Sequence, residues 1–201
     1  MEHVPLADVD LVLASTSRYR AELLGRLGAR FRTLAPGVDE SRHPGESPRG
    51  LAERLAEAKA RAAAVLCPDA LVIGSDQVAA LGIETLGKPG TVERAEAQLL
   101  ACSGRTVEFF TAVALIDTRS SPWRVHHATD IARVVFRHLD AAEVRRYVER
   151  ERPLDCAGSF KAEALGIALF ERIESEDPTG LIGLPLTAVC RLLRESGVAA
   201  L

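Results

Sequence analysis

Ala70-Leu71-Val72-Ile73-Gly74-Ser75-Asp76-Gln77 is the stretch on which the reading of this chain turns. Its apolar run is short and unbroken, which fits a strand buried on both faces better than an amphipathic helix. Leu11-Val12-Leu13-Ala14 is a second run of the same kind, broken by Ser15-Thr16-Ser17. Helical patterns separate these strands. One runs over residues 18–27, with Ser17 as N-cap and Gly28 as the stop. A longer one starts at Ser47-Pro48 and carries Leu51, Leu55, Ala58, Ala62 and Val65 at helical spacing.

Further out, residues 31–34 suit a short strand, residues 36–48 a polar loop, and residues 75–89 a loop or short hairpin. Residues 91–101 suit a helix closed by Ser103-Gly104. Residues 106–117 and 124–136 read as two long strands that can pair antiparallel. Asp140-Ala141-Ala142-Glu143 has capping-box spacing and opens a helix that Pro153 ends. Residues 167–173 suit a strand and residues 186–195 a C-terminal helix. Alternating strands and helices place the chain in the α/β class, with a mixed sheet.

The 201 residues are enough for one domain or two tightly joined lobes, and 47% hydrophobic content can build a core without disulfides or structural metal. A net charge of −3 argues against a general nucleic-acid surface, so phosphate binding has to be local. Cys67, Cys102, Cys156 and Cys190 form no C-x-x-C pair and are read as free thiols. Met1-Glu2-His3-Val4-Pro5 lacks the basic start of a secretory signal, and no uncharged apolar run is long enough for a membrane span. Cytoplasmic location, without membrane or nucleic-acid partners, is the expectation.

Ligands of open α/β sheets bind beyond the carboxyl ends of strands, and Asp76 lies just past such a run. Its carboxylate can hold a divalent cation or take a proton from water; a strand-end Asp can equally cap a turn. Gly82 to Lys88 matches G-x-x-x-x-G-K, but Pro89 has neither the hydroxyl nor the N–H that a P-loop requires. Lys88 remains a point charge that can meet a phosphate or stay in solvent. Ser15 to Arg20 join a strand to a helix start, where N–H groups and arginines can meet an anion or simply cap the helix. Val38-Asp39-Glu40 is either a metal-binding acid pair or a solvated loop. Lys59, among Ala58, Ala60 and Ala62, can lean inward or snorkel. Asp155 to Glu163 read as a tight loop that can lie against a ligand. None of the five histidines has a metal-binding spacing, and adjacent His126 and His127 point to opposite faces if they lie on a strand.

In order along the chain stand L-A-S-T-S-x-x-R (Leu13 to Arg20), V-D-E (Val38 to Glu40) and A-x-x-K-A (Ala56 to Ala60). G-S-D-Q (Gly74 to Gln77), L-G-K-P (Leu86 to Pro89) and G-L-P-L (Gly183 to Leu186) follow. The set resembles the Maf-like nucleotide pyrophosphatases over nearly the whole chain. The resemblance implies a single two-lobed domain over residues 1–201. Its elongated mixed β-sheet with flanking helices would line a deep cleft, similar to the inosine triphosphate pyrophosphatases. It implies hydrolysis between the α and β phosphates of a nucleoside triphosphate, with Mg2+ or Mn2+ as divalent metal. R-P-L-D-C-A-G-S-F-K-A-E (Arg152 to Glu163) and L-F-E-R (Leu169 to Arg172) resemble the 7-methyl-GTP branch, whereas the dTTP and UTP branch usually carries Ala-Asp-Thr in place of Ser75-Asp76-Gln77.

By that resemblance Asp76 is the proton acceptor and, with Glu40, a metal ligand. Ser15, Arg20, Lys59 and Lys88 hold phosphate, and Tyr19, Gln77 and Glu163 set specificity. A Tyr19 ring can stack on a cationic 7-methylguanine, and Glu163 can accept from its N–H groups. Arg18, where many members carry Pro, is a departure that bears on the shape of that turn. A nucleotide-binding regulator of septum formation, needing the cleft but not turnover, is the competing class; a homodimer is left open.

Overall fold

A computed structural model describes residues 4–201; Met1 to His3, which contribute to the reading against a secretory signal, lie outside the described residues. The strand read from residues 70–74 is longer than its apolar run. β4 spans Leu71–Leu81 and passes straight through Ser75, Asp76 and Gln77. Asp76 is therefore in the middle of the strand, not at its end. The cause is β6 (Thr106–Asp117), which pairs antiparallel with β4 from Leu71↔Asp117 to Ala80↔Glu108 and carries the polar residues along in its ladder.

The other side of β4 is different. β2 (Leu11–Ala14) runs parallel to it and stops at Ala14↔Gly74. β5 (Glu84–Leu86) folds back in a hairpin and takes up pairing only at Ala79↔Leu86. Residues 75–78 thus have no strand beside them on that edge. The carboxyl-end rule holds for β2, and Asp76 belongs to the continuing strand that overshoots it. β3 (Arg32–Thr33), β7 (Arg124–Phe136) and β8 (Phe170–Glu174) complete a mixed seven-stranded sheet of order β3-β2-β4-β6-β7-β8, with β5 on β4. β1 (Val4–Pro5) and β9 (Val198–Ala199) form a small parallel pair that the apolar pattern did not reveal.

Among the described residues five α-helices flank the sheet: α1 (Arg18–Gly25), α2 (Pro48–Ala64), α3 (Val92–Cys102), α4 (Ala141–Glu151) and α5 (Leu186–Glu195). Their start signals act as the sequence suggests. Ser47 Oγ accepts from the Gly50 N–H at 3.0 Å, and Asp140 and Glu143 close a reciprocal capping box at 2.8 and 3.1 Å. α1 is shorter than expected because Arg26, Leu27 and Gly28 bond back only three residues, a tightened last turn that leads into Gly28 at φ +70°. The strand expected over residues 167–173 begins later. Leu165–Leu169 form a 3-10 turn in which Gly166 packs against the Lys161 main chain, and pairing to β7 starts at Phe170.

Alternation along β4 distributes the core. Val72 and Val78 face α2 in one apolar cluster. On the opposite face Leu71 and Ile73 join a cluster with α1 and α5, while Ala79 and Leu81 join a separate one with α3 and α4. Ser75 and Gln77 are the polar residues between those two clusters. His126 and His127 do diverge: His126 reaches Glu195 of α5, and His127 reaches Glu57 of α2. All four cysteines are free, Cys67 and Cys102 buried, Cys156 and Cys190 half-buried.

Candidate active site

A cleft of about 890 Å³ opens where β4 lacks its neighbour, and Ser15, Tyr19, Arg20, Glu40, Lys59, Asp76, Gln77, Lys88 and Glu163 all line it. Its floor is built by one close approach. Gly74 faces α2, and a Cβ there would collide with the Ala56 carbonyl and the Ala60 backbone. Only glycine lets helix and strand come this near. Asp76 lies two residues on and shares that face; Lys59 lies between Ala56 and Ala60. The Lys59 side chain, only 7% exposed, therefore leans inward. Its Nζ stands 2.6 Å from Asp76 Oδ1 and 2.7 Å from Glu40 Oε1.

Two acids meeting one buried ammonium make a compact electrostatic unit. Asp76 is 8% exposed, and burial pushes its pKa above the ordinary carboxylate range. The charges of Lys59 and Arg20 oppose that rise, and Glu40 adds to it. Arg20 comes from the first turn of α1 and donates through Nε to the Gly183 carbonyl at 3.0 Å. Burial lowers its pKa, countered by Asp76 and Glu40. Ser15 is buried at the end of β2, where its Oγ accepts from the Ser17 N–H at 3.1 Å, and Ser17 in turn caps α1. The capping and cleft-lining readings of this turn therefore hold together. Arg18 lies over the neighbouring Tyr19 ring, 4.8 Å from its centroid, and donates to its hydroxyl at 3.0 Å.

The rim is more open. Lys88 and Glu163 are exposed, on the segment after β5 and the segment after α4 respectively. These segments are tied together. Gln98 of α3 donates to the Gly87 carbonyl at 3.2 Å and accepts from Ser159 Oγ at 2.5 Å, and the Gly90 N–H reaches the Leu154 carbonyl at 3.1 Å. Phe160 anchors the second segment among Phe109, Phe136 and Phe170, with centroids 4.9–5.5 Å away. The tight loop expected over residues 155–163 is present, with Gly158 at φ +76° and Ser159 at φ +64°. Asp39, the other acid of its pair, turns away and accepts from the Ser41 N–H and hydroxyl, both at 2.9 Å.

Several contributors were not singled out from sequence. Thr111 of β6 sits opposite Gln77 and is fully buried. Ser75 Oγ donates to the Gly183 carbonyl at 3.3 Å. Asp177 accepts from the N–H and hydroxyl groups of both Thr179 and Thr187, fixing the turn that carries Gly180 to Gly183. A lone Thr inside Phe109-Phe110-Thr111-Ala112-Val113 was the available signal for the first of these.

Glu40 and Asp76 offer hard oxygen donors, and the ammonium they share marks a place where a cation is stabilised, so these residues fit a divalent ion. Among the described residues no group of three or more His, Cys, Asp or Glu side chains forms a metal site. The remaining ligands would come from phosphate oxygens and water.

The sequence matches the family described as Maf-like protein over residues 10–196. It is 57% identical over 187 residues to the 7-methyl-GTP pyrophosphatase of Xanthomonas axonopodis pv. citri strain 306, covering 93% of this chain and 96% of that one. It is 55% identical over 188 residues to the protein of the same name from Aromatoleum aromaticum, covering 94% and 96%. The like-named protein of Pseudomonas aeruginosa is 53% identical over 189 residues, covering 94% and 97%. Among solved structures, the Staphylococcus aureus Ham1 protein aligns at TM-score 0.45 and 15% identity, over 63% of this chain and 71% of that one.

Proposed function

The chain belongs to the Maf-like protein family, and from that premise we propose that it hydrolyses the α–β phosphate bond of 7-methyl-GTP, releasing 7-methyl-GMP and pyrophosphate. The observation that carries this reading is the convergence of Asp76, Lys59 and Arg20 at the floor of one cleft, where the more exposed Glu40 meets the same ammonium, with Tyr19 and Gln77 on its walls and Glu163 at its rim. The gap between two apolar clusters on one face of β4 supports a single two-lobed unit around that cleft.

Hydrolysis of a triphosphate needs its charge neutralised and a water placed in line with the scissile bond. Arg20 and Lys59 on the floor, with Lys88 at the rim, would take phosphate oxygens. Lys59 would then exchange its carboxylate partners for phosphate, leaving both acids free. Glu40 and Asp76 would hold a divalent cation, which when bound neutralises phosphate charge and acidifies a water. Asp76 would orient that water through its carboxylate and accept its proton at an oxygen. Its raised pKa suits a general base better than a freely solvated carboxylate would. The N–H groups of Ser15 and Ser17 are taken by the Leu13 carbonyl and Ser15 Oγ, so an anion would be met by the unpaired N–H groups at the start of α1.

At the rim, the Tyr19 ring would stack on the cationic base and Glu163 would accept from its N–H groups. Among the described residues no helix is long and apolar enough to cross a membrane; a nucleotide substrate would be met in the cytoplasm. The test is a pyrophosphate-release panel over 7-methyl-GTP, GTP, UTP and dTTP, with and without Mg2+ or Mn2+. Preference for 7-methyl-GTP is expected. Equal or better turnover of UTP and dTTP would move the chain to the other branch. Nucleotide binding without pyrophosphate release under any metal would favour a regulator.

A further inference from the structure

Gln77 and Thr111 face each other across β4 and β6 as direct cross-strand partners. Gln77 Nε2 lies 3.0 Å from Thr111 Oγ1, 3.1 Å from the Gly180 carbonyl and 3.1 Å from the Leu181 carbonyl. The Thr111 hydroxyl has one hydrogen and directs it to the Gly180 carbonyl at 3.0 Å. It can therefore only accept from Gln77. The reversed amide would turn Gln77 Oε1 toward two carbonyl oxygens and a hydroxyl whose proton is already engaged. Mutual repulsion excludes that arrangement. Both N–H groups of Gln77 are thus taken by the protein, and no described residue donates to its Oε1 along the cleft wall.

We infer that Thr111 is a positioning residue for substrate choice: with the Gly180 and Leu181 carbonyls it holds the Gln77 amide so that Oε1 faces the cleft as an acceptor for nucleobase N–H groups. The inference rests on the nucleotide reading of the cleft. Its supports extend outward. Gly180 has no room for a Cβ because the Asp130 carboxylate lies against it. Asp130 accepts from the Asp177 N–H at 3.3 Å, and the Ser175 hydroxyl beside it donates to the Asp177 carbonyl at 2.7 Å. The carbonyls that orient Gln77 are thereby fixed from behind. A guanine edge presents N1–H and an exocyclic amine, which an acceptor can meet; an acceptor at the same place repels bases that present a carbonyl there.

Thr111→Val keeps the side-chain volume and removes both functions of the hydroxyl. The ratio of kcat/KM for 7-methyl-GTP to that for UTP should fall about tenfold, with kcat for 7-methyl-GTP changed less than about threefold. Thr111→Ser should restore the ratio. Unchanged selectivity in a folded Thr111→Val protein, or failure of a folded Thr111→Ser protein to recover it, would overturn the inference. A measurement on the wild type removes dependence on variant folding. In the amide NMR spectrum the Gln77 Nε2 protons should be slow to exchange and little shifted by 7-methyl-GMP. Fast exchange, or a large shift on binding, would mean that the amide donates to the base and would also overturn it. If the wild type releases no pyrophosphate from any nucleotide, the proposed activity fails. The same NMR outcome still decides how Gln77 is oriented.

Discussion

The two faces of β4 have divided the site between them. On the α2 face, Gly74 and Asp76 sit against a helix at the closest approach a backbone permits, and Asp76 is met by a buried ammonium. On the opposite face, Ser75 and Gln77 are held by the main-chain carbonyls of a turn. The first face is governed by charge and has no room for a side chain at Gly74. The second is governed by hydrogen-bond direction and reaches toward the rim. Adjacent residues of one strand can thus answer separately for bond cleavage and for substrate choice.

The strongest way to break this division is Asp76→Asn. It keeps the shape and removes the charge that would accept a proton. Turnover of 7-methyl-GTP should drop by about 10³-fold or more while circular dichroism and thermal unfolding stay near wild type. Retained pyrophosphate release would mean that catalysis does not reside on this face. Gly74→Ala attacks the same face through packing. α2 must shift, so the Lys59–Asp76 pair should separate, with about 1–3 kcal/mol lost in denaturant unfolding and an activity loss larger than that of a core substitution on the other face.

A pH profile sharpens the comparison. Asp76 acts as a base only when ionised, and burial raises its pKa above the usual carboxylate range. Activity should therefore be full above that raised value and fall as pH drops through it. Lys59→Met removes the main opposing charge, so the acid limb should move to higher pH, in addition to the loss of the proposed phosphate contact. An acid limb unchanged in Lys59→Met would separate the base from Asp76. Glu163→Gln is the mildest change. On an exposed rim residue it should reduce the preference for 7-methyl-GTP about tenfold and alter stability by no more than about 0.5 kcal/mol, read from the substrate panel and the melting curve.

Much of this was legible before any coordinates. Ser47-Pro48, Asp140 to Glu143 and the long strands at 106–117 and 124–136 carry local signals, and caps and alternating burial act locally. Motif order brought the nine site residues to attention, and the fold gathers them in one cleft. What could not be read was tertiary. β4 continues through Ser75 to Gln77 because β6 pairs with it, not because those residues favour a strand. Lys59 reaches Asp76 because Gly74, fifteen residues away in sequence, lets α2 lie against β4 at Ala56 and Ala60. Thr111 and the Gly180 turn matter through a hydrogen-bond direction that becomes visible only once the strands are in register.

Along residues 75–78, β4 has a ladder on one side only. A bare strand edge is an invitation to pair with another chain, and proteins usually blunt such edges with charge, bulges or cover. Here the blunting is by charge, since Lys59 and Arg20 line the cleft that opens beside the edge. The side chains that line the cleft thus also keep other chains from adding a strand. Substitutions that splay them should show up first as lost solubility on storage, before any measurable change in how the protein left in solution folds.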